Sequence, residues 1–269
     1  MAIETRLTAG TVGRERSDVP AVQLPVESRS GTDRRPVRRG LVLGGTVSLL
    51  YALVCVAVLS GSPLVDLDTA VFRWSTSTRW PGLYEFLTAW VLLGQRAVCL
   101  VLAATWLGVR ALRTRDLRPL ITFGLATLLL NVSVGLVKTV IGRLGPLQLG
   151  AEAVHPGAST VFSDGTIFPS GHAANAVVTW GLLAWLARRC RRSWGVAAGL
   201  LAASIGLTTI YLGTHWVSDV LAGWAAGGLV LMAVPALTPL VQRLTQVAGT
   251  VLSWMRCGAG LERPARMRV

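Results

Sequence analysis

Charge is scarce in this chain. Only 14% of its 269 residues are Asp, Glu, Lys or Arg, where a soluble domain carries about 25%. That shortage argues against an ordinary soluble enzyme. Lysine is almost absent: of 26 basic residues only Lys138 is a lysine. Cysteine is sparse too, with four residues and no CxxC or CxH spacing, so neither a zinc site nor a disulfide framework is expected. Carboxylates are few, at 13 Asp plus Glu, and no cluster of them has the oxygen density a magnesium site needs.

What is abundant is apolar surface, at 52% of residues with a mean hydropathy of +0.56. A disordered chain is thereby excluded. The net charge of +13 would suit a nucleic-acid binder, but such a protein needs a broad charged surface, which 14% charge does not supply. Arginine flanking membrane spans accounts for the balance better, and no nucleic-acid partner is expected.

Six continuous apolar stretches run approximately Leu41–Gly61, Leu87–Val109, Leu120–Ile141, His172–Ala187, Trp194–Leu212 and Val217–Val241. A spanning helix needs about 20 apolar residues, and the strands of a membrane barrel alternate and are half as long. The expected fold is therefore an all-α, polytopic membrane bundle of six transmembrane helices over residues 39–243. It is flanked by a disordered basic tail at 1–38 and a second basic tail at 244–269. The fourth stretch is short, so its ends must extend into neighbouring residues.

Arginine is asymmetric across these stretches. It crowds the two tails, the segment Arg110–Arg118 and the segment Arg188–Arg192. The opposite loops hold only Arg73, Arg79 and Arg143. The positive-inside rule then puts both termini in the cytoplasm and the loops at about 62–86, 142–171 and 213–216 outside. Trp80, Trp90, Trp106, Trp180, Trp194 and Trp216 fall near span ends or outer loops, where tryptophan anchors at the membrane interface.

Ionisable groups within or at the edge of spans are costly and point to function. In this topology Lys138, His172, His215 and Asp219 all reach the outer membrane face, and Arg96 falls near the outer part of the second span. His215 and Asp219 are four residues apart, so a helix puts them on one face. A carboxylate there fixes one imidazole nitrogen and leaves the other free to act; the alternative is a polar helix cap. Pro169-Ser170-Gly171-His172 reads as a helix start, whose free N–H groups suit an anion. Lys138 and Arg143 end the third span on the cation-poor side, where they could neutralise a phosphate or snorkel to the interface.

In order and topology these segments resemble the PAP2 family, the membrane phosphatidic-acid phosphatase type 2 superfamily, over roughly Leu87 to Val241. Its motifs are Lys-x6-Arg-Pro, Pro-Ser-Gly-His and Ser-Arg-x5-His-x3-Asp. Pro169–His172 matches the second in full, His215 and Asp219 end the third, and Lys138 and Pro146 bracket the first. Two arginines of the pattern are replaced, by Gly145 and by Thr209, and Arg143 or Arg96 could stand in for them.

The resemblance implies phosphoryl transfer to His215, with Asp219 orienting it and His172 protonating the leaving oxygen. Lys138, Arg143, Ser170 and Gly171 would bind phosphate, with no metal or cofactor required. The implied protein hydrolyses a phospholipid or polyprenyl (di)phosphate at the outer face of the cytoplasmic membrane. A phosphotransferase on the same scaffold, or an impaired lipid-phosphate binding or transport protein, are the alternatives.

Overall fold

The structure is a computed structural model that describes residues 34–77, 80–149, 160–187 and 190–258. The expectations for the tails at 1–33 and 259–269 lie outside those residues. Apolar runs with a few capping residues and little interrupting polarity can only satisfy their backbone groups as helices in lipid. Every regular element among the described residues is accordingly helical.

The order is α1 (Arg34–Leu59), α2 (Pro63–Ser77), α3 (Pro81–Trp90), α4 (Arg96–Thr114) and α5 (Arg118–Ile141). There follow a short α6 (Pro146–Leu149), α7 (Gly171–Leu186), α8 (Arg191–Tyr211), α9 (Val217–Ala233) and α10 (Thr238–Gly258).

Helix α7 is the axis of the bundle, packed against α4, α5, α8 and α9. Its sequence allows this. Ala173, Ala174, Ala176, Val178 and Leu182 are all buried, and small side chains let helix backbones approach closely. At Gly223 of α9, a Cβ would lie 2.5 Å from the Ser170 carbonyl and 3.0 Å from the Ala173 Cβ. Glycine there lets α9 close onto the start of α7. Deeper in the bundle Leu107, Phe123, Leu130, Val134, Leu182 and Val230 form the main apolar core.

Several boundaries differ from expectation for physical reasons. Among the described residues five stretches are long and apolar enough to cross a membrane: Arg38–Leu59, Arg96–Thr114, Arg118–Leu149, Arg191–Tyr211 and Val217–Val251. The expected sixth, α7, has 16 residues, about 24 Å of helix. It is enclosed by other helices and continues into the buried residues Phe168–Ser170.

The second apolar stretch is not one helix. It breaks at a 3₁₀ turn, Val91–Gly94, and restarts at Arg96, so Arg96 opens a helix and stands exposed. The loop expected at 62–86 folds instead as α2 and α3. Pro63 starts α2 with a preset φ, Asp66 favours its first turn, and Val65, Asp68, Thr69, Phe72 and Ser75 form a buried stripe. At the far end, α10 runs through the expected boundary at 243, and α1 begins before 39.

Candidate active site

The bundle brings together the last turn of α5, the start of α7 and the start of α9. Ser170 caps α7 by accepting a hydrogen bond from the Ala173 N–H at 3.3 Å, and its own N–H donates to the Asp219 carbonyl at 2.8 Å. Two helix N-termini, with their positive dipole ends, are thus held side by side.

The residues expected to carry chemistry converge here. The rings of His172 and His215 face each other edge to face with centroids 5.9 Å apart. His215 Nδ1 lies 3.5 Å from Asp219 Oδ2. That is longer than a good hydrogen bond, and Nδ1 has no hydrogen-bond partner among the described residues. Catalytic hydrogen bonds are often loose before substrate binds. With Nδ1 turned to Asp219, Nε2 points away from the carboxylate. The alternative of a helix cap also holds: the Trp216 N–H donates to Asp219 Oδ2 at 3.0 Å, so one carboxylate both caps α9 and faces the imidazole.

Lys138 is half-buried and donates from Nζ to the Thr166 and Ile167 carbonyls. It lies within electrostatic range of Asp219, His172 and Arg96. Arg96 opens α4 on this side of the bundle.

Arg143 is placed differently from the phosphate ligand it was expected to be. It is 0% exposed. Its Nη1 donates to Asp219 Oδ1 and to Ser218 Oγ, each at 2.7 Å, its Nη2 to Asp68 Oδ2 at 2.7 Å, and its Nε to Thr160 Oγ1 at 3.2 Å. A guanidinium has five N–H donors and no acceptor, and the groups around this one are protein groups.

Trp216 covers it, with the guanidinium carbon 5.5 Å from the ring centroid. That tryptophan is 2% exposed, packs edge to face on Phe72 and donates to the Leu144 carbonyl. It is a lid on a buried ion cluster, not the interfacial anchor expected.

Asp68 and Ser218 complete the cluster and were not foreseen. Asp68 Oδ1 accepts the Ser218 N–H at 2.9 Å, and Oδ2 accepts the Ser218 hydroxyl as well as Arg143. Burial pushes the Asp68 carboxyl up from the ordinary carboxylate range, while Arg143 and the Ser218 donors pull against it. The available signal was a carboxylate three residues from Val65 and four from Phe72, in register with an apolar helix stripe.

The two positions where the family pattern has arginine are filled by packing. Gly145 is buried, and a Cβ there would lie 2.7 Å from the Ile167 side chain. Thr209 is 0% exposed, with its hydroxyl on the Gly206 carbonyl. Among the described residues no group of three or more His, Cys, Asp or Glu gathers to hold a metal ion.

The comparisons with known proteins agree with this architecture. Residues 119–243 match the PAP2 superfamily, so the likeness read from the motifs holds over that segment. The chain is 26% identical over 215 residues to phosphatidylglycerophosphatase B of Bacillus subtilis, covering 73% of this chain and 96% of that protein.

Among solved structures it is similar to a transmembrane PAP2 type phosphatidylglycerolphosphate phosphatase from Bacillus subtilis. The TM-score is 0.57 at 25% identity, over 73% of this chain and 96% of that one. The Aquifex aeolicus LpxE structure matches at a TM-score of 0.47 and 27% identity, over 63% of this chain and 93% of that one. With five stretches suited to crossing a membrane and membrane relatives of this kind, the chain is a multi-pass membrane protein.

Proposed function

We propose, from the PAP2 superfamily core at residues 119–243, that this protein is a membrane phosphatase that hydrolyses a lipid phosphate or polyprenyl diphosphate through a phosphohistidine. The observation that carries the reading is the His172–His215 pair with Asp219 behind His215, at a point where two helix N-termini and Lys138 supply positive potential.

In the first step His215 Nε2 attacks phosphorus and an N–P bond forms. The P–O bond to the lipid breaks, and His172 gives a proton to the leaving oxygen. In the second step water attacks phosphorus and loses a proton to His172, the N–P bond breaks, and inorganic phosphate leaves. Asp219 orients the ring of His215 and favours its cationic character as the bond forms. Lys138, Ser170 and the Gly171 N–H bind phosphate oxygens. Arg96, exposed and within range of Lys138, takes the part of an arginine replaced in the motifs. Arg143 acts from behind, on Asp219.

Further parts of the reading rest on sequence asymmetry. The active site faces outward and both termini are cytoplasmic, because the arginine-rich loops lie at the opposite helix ends. A phosphorylated headgroup at the interface then reaches His215 while its tail stays in lipid.

The test is phosphate release by purified protein in detergent. The panel comprises phosphatidylglycerophosphate, phosphatidate and a polyprenyl diphosphate, with and without EDTA, and His215→Ala is the control. Release that persists in EDTA and is lost in His215→Ala is the expected result. Release that appears only when a sugar or lipid hydroxyl acceptor is added, with the phosphoryl group recovered on that acceptor, identifies a transferase instead. Binding without turnover under every condition overturns the enzymatic reading.

A further inference from the structure

The PAP2 match begins at residue 119, yet the buried ion cluster behind His215 is completed by α2, some fifty residues upstream. We propose that Asp68 is a positioning residue for the reaction, acting through Arg143 and Ser218 on Asp219 and hence on His215. This inference rests on the phosphohistidine reading above.

The geometry is a relay of charge-assisted bonds. Asp68 Oδ2 holds Arg143 Nη2 at 2.7 Å, and Arg143 Nη1 holds Asp219 Oδ1 at 2.7 Å. Asp219 Oδ2 faces His215 Nδ1 at 3.5 Å. Ser218 ties the two carboxylates together, since it bonds Asp68 through both its N–H and its hydroxyl and accepts from Arg143. Asp68, Arg143, Ser218 and Asp219 are each at most 1% exposed, so water does not screen them and their rotamers are locked.

Arg143 paired with Asp219 alone would be an electrically neutral unit, with the negative field at His215 largely cancelled. The second carboxylate restores one net negative charge beside the imidazole and divides the hold of Arg143 between two partners. Asp68 therefore sets how strongly the nucleophile is polarised. It does so without touching substrate.

The charged and titratable groups around His215 and in the cluster behind it come from several elements. They are Asp219 on α9, His172 on α7, Lys138 on α5 with Arg96 of α4 in electrostatic range of it, Arg143 in the turn after α5, and Asp68 on α2. Helix α8 contributes the Thr209 carbonyl, which accepts the backbone N–H of His215 at 3.3 Å.

The test compares wild type, Asp68→Asn and Ser218→Ala for kcat, KM and the pH dependence of kcat/KM, with His215→Ala as baseline. The histidine titrations are followed by NMR, in a chain with only three histidines. Asp68→Asn is isosteric and leaves the neutral Arg143–Asp219 pair. It is expected to lower kcat roughly 10- to 100-fold, the range seen when a hydrogen-bond partner behind a metal-ligating histidine is removed, with KM little changed.

With one negative charge removed from the cluster behind the nucleophile, the acid limb of kcat/KM and the histidine NMR titration are both expected to move to lower pH in Asp68→Asn. A purely structural role would reduce the folded fraction and leave both where they were. Ser218→Ala keeps every charge and is expected to lower kcat by a smaller factor at unchanged KM. It carries the test if Asp68→Asn fails to fold. Wild-type kcat in the folded variants, or an unmoved acid limb and an unmoved His215 titration in Asp68→Asn, overturns the proposal while the phosphatase reading stands. If wild type shows no release that His215→Ala abolishes, the phosphohistidine reading fails and this proposal falls with it.

Discussion

Arginine occupies two opposite environments in the helix bundle. At one end Arg113, Arg115, Arg118, Arg191 and Arg192 are exposed, and Arg110 donates to the Leu186 carbonyl at the end of α7. Those cations are solvated, lean on tryptophan as Arg191 does on Trp185, and complement the negative ends of helices. At the other end Arg143 is wholly buried between two carboxylates.

A solvated arginine tolerates many geometries and orients a membrane protein by its mere presence. A buried one needs every neighbour in place. Breaking a buried pair leaves an uncompensated charge, whereas an exposed ion pair is worth little. Burial, not residue type, decides whether an arginine is an address or a structural part.

The sharpest way to test the contrast is at the reacting centre. His215→Ala is expected to abolish phosphate release, because it removes the proposed nucleophile. Near-normal turnover would remove the histidine mechanism. Next in size is Arg143→Ala, which strands Asp68 and Asp219 in a dry site and should cost about 3–5 kcal/mol of stability, read as a fall in Tm in detergent. If Arg113→Ala lowers Tm as much, the distinction between the two ends is lost.

Lys138→Ala should weaken a charge-assisted phosphate contact worth about 1.5–3 kcal/mol, seen as a drop in kcat/KM with Tm nearly kept. A loss confined to Tm would make Lys138 a brace for the loop at Thr166 and Ile167. Smallest of all, Arg113→Ala should leave both Tm and turnover as they are, while adding arginine to the opposite loops should disturb membrane orientation.

Much of this was legible in the amino-acid order. Uninterrupted apolar runs have one solution in lipid, so the helical class followed from composition and length. Lys138, His172, His215 and Asp219 could be grouped because topology alone sends the ends of their helices to one face. The break at Gly94-Gln95 was hidden, because Leu87–Val109 stays apolar on both sides of it and hydropathy does not register a change of direction. Helix α2 was hidden for another reason. Its buried stripe contains Asp68, Thr69 and Ser75, and polar residues count against burial unless their partners are known.

Arg143 shows where the division falls. The sequence alone determined that a cation follows the third span on the cation-poor side, that histidines and a carboxylate share that side, and that two arginines of the motif pattern are missing. Only the tertiary structure decided what the cation does there. Whether a guanidinium binds a ligand or braces a carboxylate depends on which oxygens come within about 3 Å of it. Those belong to Asp68, Thr160, Ser218 and Asp219, residues up to 151 positions apart that meet only when α2 and α9 pack together.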